Sequence, residues 1–205
     1  GALQGDLVTL SDAALAYRAA LGVLTRQSAP NEWAEAKLGL GEVLVRMAEE
    51  GGDSAVLSEA IGALQPVVTL CPEIDVRRAE AALGRAFVAT AASTEDETML
   101  EQAVALLERS LDQTQRALSQ GEAAVLNGVL GSALVMLGER RGQVRLIEDA
   151  VRAKLTALEL YEAAGDEASA IRLRDELDLL GDILDGAAAV SPNAPATRSA
   201  TALGA

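Results

Sequence analysis

A chain of 205 residues with no histidine and a single cysteine lacks the commonest general base and metal ligand, and it cannot close an intrachain disulfide. Its formal net charge of −14 opposes the phosphates of nucleic acid and anionic lipid, so no nucleic-acid partner is expected; the charge serves either solubility or the steering of a basic partner. Half of the residues are hydrophobic but only 2% are aromatic, and small aliphatic side chains suit helices packed on helices rather than a sheet core, which makes the expected fold class all-α.

From the N-terminus onward the chain reads as eight helices, at about 7–27, 32–49, 54–70, 74–92, 96–118, 121–138, 143–164 and 166–185. In the first, Leu10, Ala13, Ala14, Tyr17, Leu21 and Leu24 recur at helical spacing. Pro30-Asn31 separates it from the helix of Trp33, and Gly51-Gly52-Asp53 breaks the next pair. Pro66 predicts a kink in the third helix, because its ring meets the carbonyl of Gly62 one turn back. Cys71-Pro72 ends that helix. Thr94-x-x-Glu97 and Ser119-x-x-Glu122 fit the capping box, in which a hydroxyl and a carboxylate each satisfy an orphan backbone donor. Gly165-Asp166 marks the last turn. From Gly186 the composition changes, so residues 186–205 are expected to be a flexible tail behind a helical domain over 1–185.

The longest uncharged stretch, Ala123 to Gly138, has 16 residues, short of the roughly 18–20 that span a bilayer, and no membrane insertion is expected. No basic region precedes an apolar run near Gly1, so no signal peptide is expected either. The expected compartment is cytoplasmic, with the periplasm left open.

Two short strings recur along this order. One reads LSDA from Leu10, LSEA from Leu57, LEQA from Leu100 and IEDA from Ile147, with spacings of 47, 43 and 47. The other is Leu-Gly, at Leu40-Gly41, Leu83-Gly84, Leu130-Gly131 and Leu180-Gly181. Self-similarity at such a period signals stacked supersecondary units. Each unit reads as two helices, with Leu-Gly in the first and L-x-[DEQ]-A opening the second. Gly41, Gly84 and Gly131, with Ala60, Ala103 and Ala150, let paired helices approach closely, since each glycine is otherwise unfavourable in a helix by about 1 kcal/mol.

These residues resemble tetratricopeptide repeats. Leu44, Phe87, Leu134 and Leu184 stand three after each glycine, and Ala13/Tyr17, Ala60/Leu64 and Ala103/Leu107 supply the second-helix pair. Pro72 falls twelve after Ala60, as in the family. The period is 43–50 residues rather than 34, and Ala150 is followed by Lys154, so the likeness is to long-period, bacterial-type hairpins. The resemblance implies a right-handed superhelical solenoid. The first helix carries a second-helix motif, and so either caps the array or is cut from a longer one.

No catalytic constellation emerges. Gly39-x-Gly41 lies within a helical pattern and lacks a third glycine, no P-loop occurs, and Cys71 has no histidine to activate it. Neither a cofactor nor a metal is expected. Asp175, Asp178, Asp182 and Asp185 share one helix face; they read as solvated, with a basic partner or a hard cation as alternatives.

By the resemblance, the first helices line a concave surface. That register puts Glu35, Glu42 and Arg46 on one helix, Arg78 and Arg85 on the next, Val125, Ser132, Val135 and Met136 on the third, and Asp175 and Asp182 on the last. The Lys/Asn set that clamps a peptide carboxylate in chaperone-binding members is absent. The candidate partner-binding residues are Arg78, Arg85, Val125, Ser132, Val135 and Met136, for a segment carrying acidic and apolar residues. The expected function is a non-enzymatic scaffold for a protein or peptide. The alternatives are the repeat region of a larger signalling or effector enzyme and a self-assembling, homo-oligomeric protein.

Overall fold

The structure is a computed structural model that describes residues 2–51, 53–71, 76–112 and 118–190. Eight α-helices and no strand occur among the described residues: α1 (Ala2–Leu21), α2 (Pro30–Gly51), α3 (Ser54–Leu70), α4 (Val76–Thr94), α5 (Glu97–Asp112), α6 (Gln120–Arg141), α7 (Val144–Ala164) and α8 (Glu167–Val190). Pro72 and the tail from 191 to 205, both singled out in the sequence, lie outside the described residues.

Local chemistry accounts for the boundaries. Pro30 opens α2, where its missing N–H costs nothing. The Asp53 carboxylate accepts from the Ala55 amide at 2.8 Å and caps α3. Ser119 and Glu122 form the expected capping box before α6. Gly142 and Gly165 take positive φ, 60° and 74°, and close α6 and α7 with their amides on carbonyls one turn back.

Several helix ends differ from the sequence reading. The first helix stops at Leu21 rather than 27, with Gly22 donating back to Arg18 and Ala19. The second expected capping box does not form: Thr94 belongs to α4, and it is Asp96 that caps α5 by accepting from Met99 at 3.1 Å. α3 spans Ser54–Leu70, the range read from the sequence, with Pro66 inside it. Finally, α8 continues to Val190, into the stretch assigned to the tail, because Ala187, Ala188 and Ala189 are the best helix formers.

The helices pack antiparallel in sequence, each against the next, and α4 also touches both α2 and α6. The hairpin contacts use the small residues. Ala60, Ala103 and Ala150 are fully buried. A Cβ built on Gly41 would stand 2.3 Å from Leu64 Cγ, and one on Gly84 would stand 2.9 Å from Leu107 Cγ, so both glycines permit an approach that no other residue allows. Leu38, Leu44, Leu64, Leu100 and Leu107 fill the core, each contributing about 1.5–3 kcal/mol by leaving water.

α6 is long and apolar enough to cross a membrane, although its uncharged stretch alone reads as too short. In the fold it lies between α4, α5 and α7, with Leu126, Leu130, Ala133, Leu134 and Leu137 buried.

Candidate functional site

The even-numbered helices expose a face along which three clefts adjoin. The first, about 280 Å³, lies between α4 and α6 and is lined by Arg78, Arg85, Leu118, Val125 and Leu126, with Glu42 of α2 at its edge. The second, about 330 Å³, shares Arg85 and Val125 with the first and adds Val88, Val129 and Ser132, Lys154 and Tyr161 of α7, and Arg172 and Glu176 of α8. The third, about 390 Å³, lies between α6 and α8; it shares Ser132, Lys154 and Glu176 with the second and adds Val135, Met136, Leu179 and Ile183. All six candidate residues thus line one series of clefts on one face. Of the flanking acids, Glu42 lines the first cleft, while Glu35, Asp175 and Asp182 are exposed on α2 and α8.

The electrostatics of this face differ from what the arginines alone suggest. Arg78 donates twice to Glu42, from Nε at 3.0 Å and Nη2 at 2.6 Å. Arg85 holds Glu49 in the same forked manner, with Nε at 3.0 Å. Bidentate geometry fixes both guanidinium planes against α2. The basic section expected for binding acidic residues is therefore charge-paired across α2 and α4. Lys154 Nζ lies 2.5 Å from Glu176 and donates to Ser132 Oγ at 3.1 Å, tying α7 to α6 and α8 at the floor of the middle cleft. The Lys154 residue is only 3% exposed. Burial pushes the Tyr161 phenol above its ordinary range, with the Asp166 charge adding to it.

Lys154, Glu176, Tyr161, Leu179 and Ile183 escaped the sequence reading. Lys154 had a signal: it occupies the register position of Leu64 and Leu107. Its aliphatic stem lies on Gly131, where a Cβ would stand 2.6 Å from its Cγ, while its ammonium emerges on the cleft side. The pairs Glu42–Arg78 and Glu49–Arg85 share a separation of 36 residues, a periodicity that single-helix spacing rules do not test.

On this face apolar patches alternate with ion pairs, and no group of three or more metal-ligating side chains occurs among the described residues. Asp175, Asp178, Asp182 and Asp185 are exposed along α8. Cys71 is a half-buried free thiol at the end of α3, away from these clefts. No protein-family model, curated protein or solved structure matches this chain.

Proposed function

We propose that this chain is a non-enzymatic interaction scaffold, a tetratricopeptide-like right-handed superhelix of long-period hairpins. It acts without a cofactor in the cytoplasm and holds a partner protein or peptide along the face of α2, α4, α6 and α8. The observation that carries the reading is the continuity of the three clefts, joined through Arg85 and Val125 and through Ser132, Lys154 and Glu176. The packing of α4 on both α2 and α6 supports the superhelix, since alternate helices touch when hairpins stack in one direction. α6 is read as the core helix of this stack, and the acidic surface as one that rejects nucleic acid.

The test is affinity capture from cell extract with the immobilised chain, beside a Met136→Glu variant, followed by mass spectrometry. A protein retained by the wild type and lost from the variant is the expected result. Identical capture by both removes this face as the binding surface.

Self-association has one observation in its favour. Gly181 corresponds to Gly41, Gly84 and Gly131, each covered by the helix that follows, yet nothing among the described residues lies within 4 Å of a Cβ built there. A second copy could cover that face of α8. Light scattering across concentration tests it: a constant monomer mass ends this reading and leaves the scaffold reading standing.

A further inference from the structure

We propose that the occupant of the α6–α8 cleft is an amphipathic helical segment of a partner protein, with apolar residues one turn apart and lysine or arginine beside them. This rests on the scaffold reading and adds the chemistry of the partner.

The apolar half of the argument is the cleft itself. Val135 and Met136 form one wall and Leu179 and Ile183 the other. Leu179 is 64% exposed and Ile183 41% exposed. They stand four apart on α8, one above the other, and so offer a row rather than a point. A row of this kind between two helices fits the apolar stripe of a third helix, whose anchors repeat at the same spacing.

The charged half comes from what is paired and what is not. Arg78, Arg85 and Lys154 have their carboxylates in Glu42, Glu49 and Glu176. Around the α6–α8 cleft the balance is opposite. Glu139 lines it, Asp175 precedes Leu179 by one turn, and Asp182 lies beside Ile183. None of these three has a cationic partner among the described residues. Near this face, Arg172 and Arg140 have no ion pair among the described residues: Arg172 lines the middle cleft and donates to Ser169 Oγ at 3.3 Å, and Arg140, beside Glu139 in the chain, donates to the carbonyl of Ala91 at 2.7 Å. An acidic segment would meet Glu139 in the cleft and the exposed Asp175 and Asp182 on the α8 side of it, whereas a basic one would neutralise these carboxylates and be oriented by them.

The probe is a display library of helix-forming peptides, randomised in apolar and charged positions and selected on the full chain. Enriched peptides are then titrated by fluorescence anisotropy. The expected peptides carry aliphatic residues four apart with flanking lysine or arginine, and bind more weakly as salt rises. Leu179→Glu should weaken them on the order of tenfold or more, and Asp175→Lys with Asp182→Lys should do the same. All three positions are exposed on α8, so circular dichroism should show unchanged helix content. Acidic or uncharged peptides that remain sensitive to Leu179→Glu overturn the basic partner and leave the scaffold reading intact. Peptides indifferent to Leu179→Glu, or no enrichment at all, overturn docking in this cleft.

Discussion

Lys154 fills against Gly131 the place that Leu64 fills against Gly41 and Leu107 against Gly84. The three hairpins share one contact, and in the third the contacting side chain also delivers a charge to the far side. Its ammonium reaches Glu176, whose side chain is 53% exposed. Replacing the lysine therefore strands no buried carboxylate.

Lys154→Leu should leave stability within about 1 kcal/mol of the wild type or raise it, since exchanging a buried charge for a well-packed apolar residue is often neutral or better. Lys154→Ala should cost about 2 kcal/mol through the lost stem. Urea denaturation of both variants checks this. A leucine variant that is the less stable of the two would show that the tie to Glu176, not the packing on Gly131, holds this hairpin.

Glycines at equivalent register positions, one covered by the next helix and one bare, should respond in opposite directions. Gly84→Leu meets Leu107 at once and should destabilise by about 1–3 kcal/mol. Gly181→Ala meets nothing within 4 Å and should stabilise by up to about 1 kcal/mol, because alanine is the better helix former. Thermal melts of the two variants should move apart; shifts of the same sign would contradict the assigned contact.

Glu95 holds a φ of 57°, in the left-handed region, where it closes α4 with its amide on the carbonyl of Ala91. A side chain there is strained by about 1–2 kcal/mol. Glu95→Gly should recover part of that and raise the melting temperature. A lower melting temperature would mean that the carboxylate has a compensating role.

The capping box predicts a pH effect. Hydrogen bonds from Ser119, first from its hydroxyl and then from its amide, hold the Glu122 carboxyl below its ordinary range. A depressed folded-state value means that the stabilisation is present above the unfolded-state pKa of about 4.3 and is lost as pH falls through the lower folded-state value. Ser119→Ala should cost about 1 kcal/mol near neutrality and less below that window. A cost that stays constant down to the acid limit would assign it to the hydroxyl cap alone.

Much of the fold was legible because its signals are local. Apolar spacing, Pro30, the Ser119 box and the recurrent Leu-Gly all act within one helix or across one turn. The misreadings came where a local signal had a competitor. Asp96 sits closer to the start of α5 than Thr94 and takes the cap, and the alanines after Gly186 extend α8 in a stretch whose composition suggested a tail. The candidate face was legible in its positions but not in its charge. Arg78 and Arg85 read as free cations because Glu42 and Glu49 become their neighbours only when α2 and α4 pack together. Lys154 read as a break in the register, since spacing does not show that a long side chain can satisfy a packing position with its stem and a cleft with its head.

The central claim is that a partner occupies the face of the even-numbered helices, and site-resolved photo-crosslinking in cells tests it most directly. A photoreactive residue placed at Met136, in the α6–α8 cleft, is compared with one at Val104, which lines a cleft between α5 and α7 away from that face. The account predicts a discrete crosslinked partner from position 136 that is absent from position 104. Crosslinks from 104 and none from 136 would contradict it and move the binding surface to the odd-numbered helices.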